Sequence, residues 1–196
     1  MSVVFQLACD GSNGSTTFTD SSPSPKTVSV FGNAQVSTAQ SKFGGASAAF
    51  DGTGDYLSVA DSADWDIPGY CTVEFWFRTE VSSGVSFTKG IIGTGTLASS
   101  AGWAVGHYMG TLSLRINSTS YSGSGTINDA TWYHVALVWN DASFKCYLDG
   151  AELYSGTAGA IDTSAALIVG NFSPVDSNRY LQGYVDDIRV ANGEVI

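Results

Sequence analysis

Polar and apolar residues alternate with a period of two along most of this chain. In the segment CTVEFWFR, residues 71–78, Val73, Phe75 and Phe77 share one face and the residues between them form a mixed face. Successive side chains of a β-strand point to opposite faces, so this alternation predicts a strand with one dry face. The segment WYHVALVWN, residues 132–140, is apolar on both faces. That pattern predicts a strand in the middle of a covered sheet.

Turn signals separate many more short segments of the same kind. SFKCYLDG ends at Asp149-Gly150 and is followed by AELYSG, which predicts a β-hairpin. Alternation and turn residues predict further strands at 3–9, 27–31, 46–50, 56–59, 87–92, 103–107, 112–116, 167–169 and 181–190. Residues 10–25 and 94–102 are predicted to be loops, and no apolar stripe has the helical period. The sequence therefore predicts an all-β, two-sheet antiparallel sandwich, because a strand that is apolar on both faces favours stacked sheets over a barrel.

Composition agrees with this class and excludes some partners. All-β sandwiches of 196 residues form one domain, so a single domain over 1–196 is predicted. The net charge of −10 argues against nucleic acid and anionic membranes, both of which need a cationic surface. No apolar run approaches the roughly 18 residues of a membrane span, so no membrane insertion is expected. The three cysteines are widely spaced and predict no disulfide framework.

Four segments, taken in order, resemble a known superfamily. They are KFGGASAAFDGTGDYLSV at 42–59, CTVEFWFR at 71–78, TWYHVALVWNDASFKCYLDGAEL at 131–153 and LQGYVDDIRVANG at 181–193. Their order and spacing resemble the laminin-G-like, concanavalin A-like jelly-roll superfamily. That superfamily includes lectins, carbohydrate-binding modules, glycosidases, adhesion domains and bacteriophage tail or fibre domains. The end of the last segment is most similar to the phage versions.

The resemblance implies a binding module on a virion or another extracellular surface. Its expected partner is a glycan or cell-surface polysaccharide. The alternative is a structural virion domain that binds other virion proteins, and a glycoside-active enzyme is the third hypothesis. Retaining glycosidases of this fold carry Glu-x-Asp-x-x-Glu on one strand, a spacing that none of the 18 acidic residues forms. Glu74 stands alone on its strand, and no catalytic residue is predicted.

A metal site is expected on the closing strand. In YVDDIRV, Asp186 alternates with Ile188 and Val190 and so is predicted to lie on the packed side, where a carboxylate must be paired or coordinated. The resemblance implies a structural Ca²⁺ held by Asp186 together with oxygens of the N-terminal segment. The predicted companions are Asp10 or Asp20, with a carbonyl near residues 44 and 45. The alternative is that Asp186 only accepts hydrogen bonds.

Glycan binding would need exposed aromatic rings with a few polar partners. The aromatic residues that the core pattern does not use are Trp76, Trp103, Tyr108, Tyr121 and Tyr180, whereas Trp132 and Trp139 are predicted to be structural. Two loops, 94–110 and 171–182, are expected to supply the ligand-binding residues Trp103, Tyr108, Asn171, Asn178 and Tyr180, either on one rim or beside one sheet. Single sites of this kind are weak, so attachment is expected to need several copies, as in a homo-oligomer or a particle.

Overall fold

A computed structural model describes residues 2–67, 69–94, 101–159, 161, 164–172 and 178–193. Within these residues there is no helix, and the chain forms fifteen strands. The strands are β1 (Ser2–Leu7), β2 (Val28–Phe31), β3 (Gln35–Ser37), β4 (Ser47–Asp51), β5 (Tyr56–Val59), β6 (Cys71–Thr79), β7 (Lys89–Thr94), β8 (Trp103–Tyr108), β9 (Thr111–Ile116), β10 (Thr119–Thr126), β11 (Trp132–Asn140), β12 (Ser143–Leu148), β13 (Ala151–Thr157), β14 (Leu167–Val169) and β15 (Gln182–Asn192). The predicted all-β class is confirmed.

The strands form two antiparallel sheets. The first sheet has the order β13-β12-β11-β6-β15-β4-β3, and β1 also pairs with β15. The second sheet has the order β10-β9-β8-β7-β14-β5-β2. One hydrophobic core cluster includes Val73, Phe75 and Phe77 from the first sheet and Val105 and Leu114 from the second. The predicted two-sheet jelly-roll sandwich is therefore also confirmed.

Strand β11 has one buried face and one partly exposed face. Tyr133, Val135, Leu137 and Trp139 are buried, and the residues between them, which begin with Trp132 and His134, are partly exposed. The predicted position in the middle of a sheet is confirmed, because β11 lies between β12 and β6, but the prediction that both faces are covered is wrong. Apolar residues on the second face form part of the outer surface of the first sheet instead.

A β-bulge changes the face on which Asp186 lies. Val185 pairs with Phe77 and Asp186 pairs with Trp76, but the register between β15 and β6 shifts before Arg189. Asp187 has a φ of 47°, which is the backbone conformation of an inserted bulge residue. Directly paired residues share a face, so Asp186 lies on the outer side with Trp76. The prediction that Asp186 lies on the packed side with Ile188 is wrong, because the bulge reverses the alternation between them. Asp186 is nevertheless buried, since the loop with Lys42 and Phe43 covers it on the outer side.

Two strands were not predicted from the sequence. Strand β3 has only three residues, and β10, TSYSGSGT, has almost no apolar side chains. Both lie at or near sheet edges, where one neighbour is enough to hold a strand and little burial is required. In the part of the chain that the structure describes, no helix has the length and apolar character needed to cross a membrane.

Candidate functional site

The loops at one end of the sandwich form the most complete candidate site. At this end, which we call the rim, β4, β6, β8 and β10 finish and β5, β7, β9 and β11 begin. Backbone hydrogen bonds tie the rim loops together: Gly110 donates to the carbonyl of Ser82 at 2.7 Å, and Ala130 donates to that of Thr79 at 2.8 Å. The rim loops are therefore held by both sheets.

A groove of about 350 Å³ opens on the rim between the loop after β6 and the segment before β15. We call it the rim groove. Its lining comprises Gly52, Val81, Gly84, Val85, Ser86, Phe87, Lys89, Asn178, Tyr180 and Gln182. Two of these, Asn178 and Tyr180, are predicted ligand-binding residues, and the others were not singled out in the sequence. The volume lies within the range of roughly 300–1,000 Å³ that small-ligand sites occupy.

Residues 178–182 form one wall of the rim groove, and hydrogen bonds attach this segment to β7 and to the end of β6. The Nζ of Lys89 donates to the carbonyl of Asn178 at 2.7 Å, and the backbone N–H of Gly90 donates to the carbonyl of Arg179 at 2.9 Å. Farther along, the backbone N–H of Glu80 donates to the carbonyl of Gln182 at 2.9 Å. The backbone of this wall is therefore fixed to the strands by hydrogen bonds.

The aromatic residues of the rim groove differ in their exposure. Tyr180 is 8% exposed, so the expectation of an exposed ring at this position is wrong. It lies in a row with Tyr56, whose ring is 6.5 Å away, and Phe31. Phe87 is 46% exposed, and the guanidinium of Arg179 lies 5.4 Å from the centre of its ring. The accessible ring of the groove is therefore Phe87. The sequence pattern placed Phe87 at the start of a strand at 87–92, but β7 begins at Lys89, so Phe87 lies in the preceding loop.

A second groove of about 280 Å³ continues the first along the rim, and the two share Gln182. Polar and acidic residues of this continuation include Asn33, Asp51, Asp55 and Glu80. Asp55 accepts hydrogen bonds from the backbone N–H groups of Asn33 at 2.7 Å and Asp51 at 2.9 Å. Burial raises the pKa of Asp55 despite these bonds. The rim thus offers an elongated surface of amide, carboxylate and aromatic groups.

The structure does not bring all of the predicted ligand-binding residues together. Trp103 begins β8 at the opposite end of the sandwich, is 1% exposed, and packs with its ring centre 6.2 Å from that of Trp139. The expectation of an exposed Trp103 is wrong, because its position on β8 faces the core. Tyr108 ends β8 on the rim side and is partly exposed, but it does not line the rim groove.

Asn171 is also buried, for a reason that involves two glycines. Its Oδ1 accepts a hydrogen bond from the backbone N–H of Phe172 at 2.7 Å. A Cβ at Gly90 would lie 2.4 Å from the backbone of Asn171, and a Cβ at Gly106 would lie 2.5 Å from the ring of Phe172. Because Gly90 and Gly106 have no side chains, residues 171 and 172 can pack directly against the second sheet. Asn171 is therefore fully buried and has a structural role.

Two of the predicted metal ligands lie close together. The buried carboxylate of Asp186 accepts hydrogen bonds from the backbone N–H groups of Lys42 at 2.8 Å and Phe43 at 3.1 Å. A Cβ at Gly44 would overlap the carboxylate of Asp10. Burial raises the pKa of Asp186 despite these bonds, and the negative charge of Asp10 adds to the shift. The structure therefore places Asp10, Asp186 and the backbone near Gly44 close together, and calcium binding there stays a prediction.

Asp20 lies apart from this pair. Its carboxylate accepts hydrogen bonds from the backbone N–H groups of Gln6, Ser22 and Lys26 and from the hydroxyl of Ser22. Burial acts to raise the pKa of Asp20, but these bonds outweigh it and leave the pKa below its usual value. Asp20 is thus a structural residue that closes the 20–26 turn onto β1, and its assignment as a metal ligand is corrected. Among the described residues, no group of three or more His, Cys, Asp or Glu side chains could hold a metal ion.

Glu74 is engaged by two basic side chains on the outer face of the first sheet. Its Oε1 accepts a hydrogen bond from Nε of Arg189 at 2.5 Å, and its Oε2 lies 3.6 Å from Nε2 of His134. The interaction with His134 lowers the pKa of Glu74, burial opposes the shift, and Arg189 lowers it further. A carboxylate held ionised in this way accepts hydrogen bonds and is poorly suited to donate a proton as a general acid.

The two-sheet fold and a site built from loops at the sandwich edge are typical of lectin-like jelly-roll domains. The chain belongs to the concanavalin A-like lectin/glucanases superfamily, because the Laminin_G_3 family model matches residues 51–195. A comparison with curated protein sequences finds no significant match.

Solved structures share the fold at low sequence identity. Domain 4 of AbnA, a GH43 extracellular arabinanase from Geobacillus stearothermophilus solved in complex with arabinotriose, is 19% identical with a TM-score of 0.72, and the match covers 100% of this chain and 94% of that one. The binding domain of Paraclostridial Mosquitocidal Protein 1 is 14% identical with a TM-score of 0.76, and that of botulinum neurotoxin serotype D/C is 14% identical with a TM-score of 0.73. The whole of this chain is covered in both matches, but it spans only 49% and 50% of those two chains.

Proposed function

We propose that this chain is a non-catalytic carbohydrate-binding module that binds an oligosaccharide in the rim groove. The observation that supports the proposal is the combination in that groove of one exposed ring, Phe87, with the polar groups of Lys89, Asn178 and Gln182 on pinned loops. A sugar has an apolar C–H face and a rim of hydroxyl groups, so an aromatic ring and a few oriented polar partners match it. The arabinotriose bound by the arabinanase domain of the same fold supports the ligand class.

Binding rather than catalysis is favoured by the state of the central carboxylate. Glu74 is paired with Arg189 and His134, and its register neighbours on β11 and β15 are Ala136 and Arg189. Hydrolysis of a glycosidic bond with retention needs two carboxyl groups about 5 Å apart. Glu74 has no such partner among the residues paired with it, so the proposal assigns it to the stability of the sheet.

The proposal includes a structural Ca²⁺ between the closing strand and the loop that contains Gly44. Asp10 and Asp186 would hold the ion, since hard oxygen donors suit Ca²⁺ and two neighbouring carboxylates repel each other unless a cation lies between them. Backbone carbonyls near Gly44 would complete the coordination, and the ion would fix this loop to β15.

A second candidate function is a structural domain that binds protein. The apolar side chains exposed at the rim include Val81, Phe87 and Met109, with exposed fractions of 36%, 46% and 60%. Exposed apolar groups that cluster at one end of a domain favour a protein partner. The location on a virion or another extracellular surface, and a homo-oligomeric arrangement, remain predictions under either function.

An array of printed oligosaccharides tests the proposed function. The chain is displayed on a multivalent scaffold, because single sites of this kind bind with millimolar to high-micromolar affinity, about −4 to −6 kcal/mol. We expect binding that Phe87→Ala weakens by about tenfold, whereas Tyr70→Ala, which removes a ring of similar exposure (47%) at the far end of the sandwich, leaves it unchanged. Absence of binding to every glycan by the multivalent wild type would favour the structural function.

A further inference from the structure

We propose a second binding site for a neutral oligosaccharide on the outer face of the first sheet, centred on Trp132. A cavity of about 480 Å³ lies there, lined by Lys42, Trp76, Trp132, His134 and Asp149. We call it the sheet-face site. It shares no lining residue with the rim groove. The inference takes its ligand class from the proposed function, but it rests on different residues.

The register of β6 and β11 places the aromatic groups of this site side by side. His134 pairs directly with Trp76, and Trp132 pairs with Arg78 one step along the same face. Paired residues and their diagonal neighbours on one face of a sheet lie within reach of each other's side chains. The ring centres of Trp76 and His134 are 5.1 Å apart. The sheet itself therefore builds an aromatic surface that lies outside the core.

Lys42 is held in place at the edge of this surface. Its backbone N–H donates to Asp186, and its Nζ lies 3.9 Å from the centre of the Trp76 ring. The edge of Phe43 contacts the same ring, with centres 5.8 Å apart and planes at 84°. One face of Trp76 is thus covered by an ammonium group that can still donate hydrogen bonds outward.

Asp149 supplies a fixed acceptor on the opposite side. Its Oδ1 accepts a hydrogen bond from the backbone N–H of His134 at 2.8 Å, and its own backbone N–H donates to the carbonyl of His134 at 2.9 Å. These bonds hold the exposed carboxylate at the tip of the hairpin between β12 and β13. The second carboxylate oxygen remains available to a hydroxyl group, because a carboxylate has about four acceptor positions.

Trp132 provides the stacking surface. Its side chain is partly exposed and makes no ring contact with any other aromatic side chain in the described part of the chain. An indole face with a donor and an acceptor on its two sides matches the apolar face and hydroxyl rim of a sugar ring. Lys42 and Asp149 cancel in charge, and the chain carries −10 overall, so a neutral glycan is favoured over an acidic one.

The test uses an array that prints neutral oligosaccharides, including arabinotriose, beside uronate-containing ones. Trp132→Ala is expected to weaken binding to at least one neutral glycan by about tenfold, and Lys42→Gln by about threefold. Trp132→Tyr keeps an aromatic face and is expected to stay within about threefold of the wild type. Melting temperatures of the variants verify folding. The matched control is Tyr70→Ala, which removes an exposed ring elsewhere.

Comparison with Phe87→Ala separates the two proposals. Loss of binding in Trp132→Ala with retention in Phe87→Ala supports the sheet-face site and contradicts the rim groove, whereas the reverse overturns the sheet-face site alone. Partial loss in both, with a larger loss in the double variant, supports two sites. Binding confined to uronate-containing glycans overturns the inference. Absence of any glycan binding by the multivalent wild type overturns both proposals.

Discussion

The buried carboxylate of Asp186 accepts a hydrogen bond at 2.8 Å from the backbone N–H of Lys42, a residue 144 positions earlier in the chain. This bond joins the closing strand to the loop that also contacts Trp76 and Asp10. The proposed calcium ion and the sheet-face site therefore depend on the same loop. A change at Asp186 is expected to affect both, whereas the rim groove at the edge of the sandwich should be unaffected.

Removal of calcium is expected to destabilise the wild-type chain. A ligand that binds only the folded state stabilises it by RT ln(1 + [L]/Kd), about 2.7 kcal/mol at a hundredfold excess over Kd. Addition of EDTA should therefore lower the melting temperature by several degrees. In Asp186→Asn, which still folds but lacks the second charge, EDTA should have no effect. A wild-type melting curve that EDTA does not change would contradict the proposed calcium site.

Trp103→Ala is expected to destabilise the fold strongly. Trp103 is 1% exposed and packs against Trp139, so its removal leaves a large cavity between the sheets. Deletion of a buried aromatic side chain costs about 3–5 kcal/mol. Chemical denaturation measures the change, and Tyr70→Ala, an exposed aromatic, should change stability by less than about 0.5 kcal/mol. A mild effect at Trp103 would contradict its placement in the core.

Stability should fall as the pH drops from about 6.5 to 4, because of His107. Burial lowers the pKa of His107 to about 4, and the charge of Lys89 adds to this effect. The pKa of His107 is higher in the unfolded chain than in the folded chain, so the unfolded chain binds the proton first as the pH falls. Protonation therefore shifts the equilibrium toward the unfolded state. The loss for the folded state is about 2–4 kcal/mol over this range.

Urea denaturation at pH 7 and pH 4.5 measures the effect of His107. His107→Gln removes the titrating ring and keeps a polar group near the hydroxyl of Thr79, which lies 3.2 Å from Nε2 in the wild type. The variant should lose most of the pH dependence in this range. Glu74 and Asp20, whose pKa values are lowered, act at more acidic pH. Asp55 and Asp186, whose pKa values are raised, stabilise the folded state as the pH falls and so oppose His107. They are present in both proteins, so the difference between variant and wild type reports His107. An equally steep dependence in the variant would show that another group is responsible.

Gly106→Ala is expected to destabilise the chain by about 1–3 kcal/mol, the usual cost of overpacking. The added methyl group would overlap the ring of Phe172 and the carbonyl of Lys89, and the backbone carbonyl cannot move freely. Gly159→Ala is the control, because a Cβ there meets nothing within 4 Å. In thermal denaturation, the melting temperature of Gly106→Ala should be clearly lower than that of Gly159→Ala. Equal stability would contradict the close packing of residue 172 on the second sheet.

The fold could be predicted from sequence because its signals are local and repeated. Alternation in 71–78 and the turn at Asp149-Gly150 each need only a few neighbouring residues, and β6 and the β12–β13 hairpin follow from them. The face of Asp186 could not be predicted in the same way. A bulge at Asp187 shifts the alternation by one residue, and the sequence has no glycine or proline there that would mark it.

The candidate site was harder to predict because loops carry no periodic pattern. Asn178 and Tyr180 line the rim groove, whereas Trp103 lies in the core at the other end of the sandwich. Whether a tryptophan at the start of a strand points inward depends on the strand's register with its neighbours, which is a tertiary property. Phe87 was predicted to begin a strand and not to bind a ligand, because its place in the loop before β7 also depends on the tertiary fold. The single-domain boundary of 1–196 stays a prediction.

The central claim, that the rim groove binds an oligosaccharide, is tested most directly by an NMR titration of the wild-type chain. Amide resonances are followed while a neutral oligosaccharide from the array, or arabinotriose, is added to millimolar concentration, as the expected weak affinity requires. The largest changes in amide chemical shift are expected in residues 81–89 and 178–182, the two segments that line the groove. Shifts confined to the opposite end of the sandwich, or none at saturating ligand, would contradict it.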